Sequence, residues 1–150
     1  MRFLYRCKNV VCLLLATAFA VLVTFCTRSV AVCKLSALSG ERTFYLYSSS
    51  SQAMQKHVLE LADLPFVCGE SVRLDIKTDE MQTERLAMDI AKTYGAKLQF
   101  VEYLYGGNCY YFYAEALGKP TLLNGVAVNL HVAITRDTCV VGTPLIFGGF

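Results

Sequence analysis

The spacing of hydrophobic and polar positions changes several times along the chain, and each change marks an element. From Val10 to Thr27 there are 18 consecutive uncharged, mostly apolar residues, bounded by Lys8 and Arg28. No polar face interrupts the run between Val10 and Phe25, so it lacks the stripe of a helix packed on a soluble core. Thr43–Ser48 alternates, with Phe44 and Leu46 against Tyr45 and Tyr47, and predicts a first strand. Gln52–Leu61 carries Ala53, Met54, Val58 and Leu61 near helical spacing; a serine of the run 48–51 would cap this helix and Pro65 would stop it. Glu70–Lys77 sets Val72, Leu74 and Ile76 on one face and Arg73, Asp75 and Lys77 on the other, the cleanest strand signal in the chain.

A second helix is expected after Thr78, with Asp79 and Glu80 in its first turn and Leu86, Ala87, Ile90, Ala91 and Tyr94 as its apolar face. Gly95 supplies its stop. Lys97–Tyr105 and Cys109–Ala114 form a hairpin through Gly106-Gly107-Asn108, and Asn124-Gly125 signals a second tight turn. Beyond it, Val126–Thr135 predicts a long strand with Val126, Val128, Leu130, Val132 and Ile134 inward. Arg136-Asp137-Thr138 then turns the chain into Cys139–Phe147, where Gly142 and Pro144 suggest a bulge or an edge position. The order β-α-β-α-β-β-β-β predicts an α+β fold, a mainly antiparallel sheet of about six strands with both helices on one face.

Charge sharpens the division of the chain. Residues 1–40 take five of the fourteen basic groups and none of the twelve acidic ones, which leaves 41–150 with a net charge of −3. A basic start (Arg2, Arg6, Lys8) ahead of an apolar run reads as a signal peptide or signal anchor, since spanning the hydrocarbon core takes about 20 apolar residues. The expected organisation is a leader over 1–34, a linker over 35–42 and a single domain over 43–150. Ala16/Ala18 and Ala18/Ala20 have cleavage-site spacing but lie inside the apolar run, so Ser36–Gly40 is the expected cleavage neighbourhood, with an uncleaved anchor slightly favoured. Cys26 follows Phe25 and Cys33 follows Val32, which argues against lipidation. The expected location is the cell membrane, held through residues 10–27 with the domain outside the cytoplasm, or secretion after cleavage. An acidic domain without a Lys/Arg stripe is a poor nucleic-acid binder, because that affinity comes largely from phosphate neutralisation.

Candidate chemistry is sparse. The seven cysteines include no C-x-x-C, so neither a zinc ribbon nor a thioredoxin-type site is signalled, and no cofactor or metal is expected. Cys68, Cys109 and Cys139 read as small buried hydrophobes. His131, beside Asn129 on the face opposite the apolar stripe of its strand, is the one residue that suggests a general base or ligand. A thiol partner for it at Cys109 or Cys139 would sit in a strand interior, a poor place for an activated thiolate. Three i, i+2 tyrosine pairs, Tyr45/Tyr47, Tyr103/Tyr105 and Tyr111/Tyr113, would form an aromatic, hydroxyl-rich surface if their faces coincide. Together with Asn129 and His131 they are the expected binding surface, suited to an envelope protein, peptide or glycan. A non-enzymatic interaction module is therefore the leading expectation, and a small cell-wall enzyme using His131 the alternative.

The ending VNLHVAITRDTCVVGTPLIF (Val128–Phe147) resembles the C-terminal segment of the YwmB family of Firmicute proteins. There a strand of the type N-L-[QH]-[IV]-A leads through a turn to V-G-T-P-[IL]. The order of elements from Ser50 onward fits the C-terminal half of that family, so the resemblance covers about two-thirds of the chain. It implies a sheet shaped like the saddle of the TATA-binding protein and carries no catalytic residues. A minor-groove saddle needs basic residues and apolar wedges on its concave face, and the acidic domain disfavours DNA binding.

Overall fold

A computed structural model describes residues 2–48, 53–77 and 80–148, and the chain divides into two compact units, Met1–Val32 and Cys33–Phe150. The first unit is the helix α1 (Arg2–Val32). Its described apolar side chains, from Val10 to Val23, are all exposed. Among the described residues, no helix is long and apolar enough to cross a membrane.

The second unit is α+β. Its strands are β1 (Glu41–Leu46), β2 (Met54–Lys56), β3 (Val67–Asp75), β4 (Lys97–Leu104), β5 (Gly107–Tyr113), β6 (Thr121–Leu123), β7 (Val126–Val128), β8 (Leu130–Thr135) and β9 (Thr138–Thr143). Seven of them build one antiparallel sheet in the order β2-β1-β3-β9-β8-β5-β4, and β6 and β7 form a separate hairpin. Among the described residues of this unit one α-helix, α2 (Glu80–Thr93), packs on the sheet over β5 and β8. Ala87, Ile90 and Ala91 meet Val72, Tyr110, Phe112, Leu130, Val132, Ile134, Cys139 and Val141 in the main core. Alternation along the strands gives this face its apolar residues, and β5 and β8 are buried on both faces because the opposite face is covered as well. α2 ends as its sequence predicts. Gly95 takes φ +61°, the Gly95 N–H bonds the Lys92 carbonyl at 3.1 Å, and the Ala96 N–H reaches back to the Ala91 carbonyl at 2.9 Å. The cap expected at Thr78 lies outside the described residues.

Three expectations are corrected. The helix over Gln52–Leu61 does not form. The described part of that segment holds β2, paired with β1 through Phe44↔Lys56 and Leu46↔Met54, and a 3-10 turn follows over Leu61–Phe66 with Pro65 inside it. Of the supposed apolar face Ala53 is half-buried and Met54, Val58 and Leu61 are 52–79% exposed, so no core face was available to stabilise a helix and ladder bonding prevailed. The serine cap expected for it lies, apart from Ser48, outside the described residues. The strand read through Val126–Thr135 is broken at Asn129. Val128 packs with Cys109, Tyr111 and Ala133, whereas Leu130 faces α2, so two residues of equal parity point to opposite faces. Finally, β9 is a central strand. Gly142 pairs regularly with Ser71 and His131, and it is glycine because the chain doubles back over it: a Cβ there would meet Ile146 Cγ1 at 2.7 Å and Leu145 C at 2.9 Å.

The linker expectation over 35–42 meets a different finding. Leu35 is fully buried in the main core, and β1 already begins at Glu41.

Candidate functional site

The face of the sheet opposite α2 holds most of the singled-out chemistry. Register places Ser71, Gly142, His131, Tyr111 and Phe100 side by side across β3, β9, β8, β5 and β4. The rings of Phe100 and Tyr111 stack with centroids 4.4 Å apart, and Tyr111 stacks in turn on His131 at 4.4 Å. Tyr45 joins from β1, its hydroxyl 2.9 Å from Ser71 Oγ and its ring edge-on to Phe147 at 5.2 Å. This row is covered. Leu145 and Ile146 pack over it from the C-terminal segment, and Leu123 and Val126 from the β6–β7 hairpin. Asn124 and Gly125 turn that hairpin with φ +51° and +82°, the paired positive angles that an Asn-Gly turn supplies.

The expected tyrosine surface is thereby divided. Tyr45 and Tyr111 are buried, Tyr113 is half-buried, and Tyr47, Tyr103 and Tyr105 are exposed. Tyr47 follows β1 near one edge of the sheet, whereas Tyr103 and Tyr105 sit at the β4–β5 turn on the other, so the three exposed rings share no surface. Period-2 spacing fixes a face within each strand, but which faces are covered is decided by the tail and the β6–β7 hairpin.

Asn129 is fully buried and serves the backbone. Its Oδ1 accepts the Ala114 N–H at 2.8 Å, and its Nδ2 donates to the carbonyls of Ala114 (2.7 Å) and Gly118 (2.8 Å). Its own carbonyl accepts from the Thr143 hydroxyl at 2.8 Å. The break between β7 and β8 falls at this residue, whose own N–H still donates to the Phe112 carbonyl of β5 at 3.0 Å.

His131, Cys109 and Tyr111 on this face, and Cys139 on the α2 face, are held in uncharged forms. Burial lowers the His131 pKa to about 4, and Nδ1 accepts the Ile146 N–H at 3.4 Å, which requires a bare nitrogen. Burial, assisted by the Glu102 charge, pushes the Cys109 thiol up to about 11, and burial alone takes Cys139 to about 12. Burial, with the hydrogen bond its hydroxyl donates to Glu102 at 2.8 Å, raises Tyr111 as well. Cys109 and Cys139 belong to cores on opposite faces, and Cys68 is also a free thiol, donating to the Tyr45 carbonyl at 3.3 Å. Protonated thiols are weak nucleophiles, so a Cys–His pair has no chemical basis here.

His131 makes a measurable signature. The unfolded chain takes up its proton near pH 6.5, whereas the folded chain resists until about pH 4. Stability is therefore retained above pH 6.5 and falls as pH drops towards 4, by at most about 1.4 kcal/mol per pH unit. Glu70, raised from 4.5 chiefly by burial, acts in the opposite sense. Urea unfolding at several pH values, on wild type and His131→Gln, separates the two: the variant is expected to lose the slope between pH 6.5 and 4. An unchanged pH profile in the variant would refute the neutral, buried imidazole.

A second polar knot lies on the α2 side and was not anticipated. Glu70, 1% exposed, accepts the Leu35 N–H on Oε1 at 2.6 Å and the Arg42 guanidinium on Oε2 at 3.1 Å. Arg42 also donates to the carbonyls of Leu35 (3.2 Å) and Leu38 (3.3 Å), and Lys34 Nζ donates to the Leu117 carbonyl at 2.7 Å. The signal was present in the sequence, because Glu70 shares the parity of Val72 and Leu74 and so had to point inward.

Shallow depressions are also found among the described residues. One of about 300 Å³ is lined by Ser39, Gly40, Glu41, Arg73, Leu74 and Asp75; another of about 510 Å³ lies beside α2, between Lys77, Arg85 and Asp89. Both mix opposite charges without convergent donors. Among the described residues, no group of three His, Cys, Asp or Glu side chains could hold a metal ion. No family model, no curated protein and no solved structure matches the chain.

Proposed function

We propose that this chain is a non-catalytic interaction module of the bacterial cell envelope, exported behind its apolar leader and acting through an apolar protein contact. The observation that carries the proposal is a concentration of exposed apolar side chains in one segment. Tyr47, Met54, Val58, Leu61 and Phe66 are 52–79% exposed, within the stretch that includes the edge strand β2. Contiguous exposed apolar patches on a monomeric domain mark interaction sites, and this segment supplies the side chains for one. Met, Val and Leu offer no hydrogen bonds, which favours a protein surface over a glycan as the partner. The buried, uncharged state of His131, Cys109 and Cys139 supports a non-enzymatic role, and the covered face opposite α2 speaks against a DNA-binding saddle. The basic start and the run 10–27 support export, as does the exposed apolar surface of α1.

A photo-crosslinking residue placed at Val58 in the full-length chain tests the proposal in intact cells. A discrete protein adduct is expected, reduced at least tenfold by Phe66→Glu with the melting temperature unchanged. Absence of any adduct, or an adduct indifferent to Phe66→Glu, would reject the apolar contact.

A further inference from the structure

We infer that the leader is removed by hydrolysis of the Ala31–Val32 peptide bond, so that the mature chain starts at Val32; the inference rests on the export proposed above. One observation bounds where the cut can fall, and a second, independent one picks this bond, at the end of α1, within that bound. The first is where the folded unit starts. The second compact unit begins at Cys33, and Leu35, only two residues further on, is fully buried in its core. The Leu35 N–H bonds the Glu70 carboxylate, its carbonyl accepts from Arg42, and Lys34 is fastened to Leu117. Cutting anywhere in Ser36–Gly40, the neighbourhood expected from composition, would delete Leu35 from the core and take the Leu35 N–H from the buried Glu70 carboxylate, leaving Arg42 as its partner. The structure thus moves the admissible cut to the N-terminal side of Lys34.

The second observation is the sequence immediately before that limit. Leader peptidases read small side chains at the first and third positions ahead of the scissile bond, a few residues after the apolar run. Ser29-Val30-Ala31 has that pattern, four residues past Thr27, where the run ends. The small-residue spacings at 16/18 and 18/20 lie within the run instead. In the reaction, water adds across the amide: Ala31 keeps the new carboxylate on the leader and Val32 gains the α-ammonium of the mature domain. The residues that remain, Val32 to Gly40, form a strap held by Leu35, and no step requires any other reactant.

Full-length chain expressed in a bacterial envelope, followed by mass determination of its N-terminus, tests the assignment. A mature chain beginning with Val32 is expected, and Ala31→Leu should leave full-length precursor while Ser36→Leu is processed as wild type. An exported chain that keeps residues 1–31, or that begins at Lys34 or within 36–41, overturns the inference and leaves the export proposal intact. A chain that is neither cut nor accessible from outside the cell sinks both. A purified domain starting at Val32 should melt at least about 10 °C above one starting at Glu41. Equal melting of the two would show that the strap does not limit where the cut can fall.

Discussion

Asn129→Ala is expected to destabilise the domain by about 3 kcal/mol, enough to lower the melting temperature by roughly 10–15 °C. The side chain is fully buried and satisfies the Ala114 N–H, the Ala114 carbonyl and the Gly118 carbonyl together. Alanine leaves those groups in the interior without water, and each abandoned group costs about 1–3 kcal/mol. Asn129→Asp distinguishes lost bonds from lost volume. A carboxylate could still accept from the Ala114 N–H but would face two carbonyl oxygens with no proton to offer, so this isosteric change should be at least as damaging at neutral pH. Thermal unfolding of both variants checks the claim. A fall of less than about 1 kcal/mol in either would mean that the bracket does not hold residues 114–118 to the sheet.

Glu70→Ala carries the second large effect, a loss of about 3 kcal/mol. The cost arises because removing the carboxylate strands its partners: the Leu35 N–H stays buried, and Arg42, 22% exposed, keeps a charge without its counter-ion. Glu70→Gln retains an acceptor for the Leu35 N–H and should cost less, about 1 kcal/mol. If the carboxylate acts by fastening the strap, Glu70→Ala and Leu35→Ala will be strongly non-additive in a double-mutant cycle, because either change alone releases the same segment. Additive effects in urea unfolding would place the cost of Glu70→Ala elsewhere. The pair also works against itself in water-like terms: burial raises the Glu70 pKa even though the Leu35 N–H and Arg42 pull it down.

Those two residues show what the amino-acid pattern discloses and what it conceals. The apolar faces of β3 and β8 towards α2 were legible, and so were α2 with its Gly95 stop and the Asn124-Gly125 turn. These features depend on neighbours within a few positions. Features decided by distant partners were not legible. Residues 54–56 form an edge strand because β1 captures them, although their spacing is nearly helical. The continuous alternation from Val126 to Ile134 conceals the inversion at Asn129, a residue whose side-chain bonds run to the distant residues 114 and 118. The candidate binding surface failed for a related reason. Tyr45, Tyr111 and His131 share the face that alternation implies, yet Leu145, Ile146 and Phe147 lie over it, and no local pattern announces that a tail will fold back. Gly142, read as a sign of an edge, is instead the clearance that lets it do so.

Export is the central claim on which the proposed contact and the processed leader both depend, and one labelling measurement tests it most directly. Tyr105 is fully exposed at the β4–β5 turn, so Tyr105→Cys offers a thiol that a membrane-impermeant maleimide can reach without unfolding the domain. With the unsubstituted chain as background for its native thiols, the full-length variant should label in intact cells to the same extent as after lysis. Labelling that appears only once the cells are broken would place the domain in the cytoplasm and contradict the export on which both proposals rest.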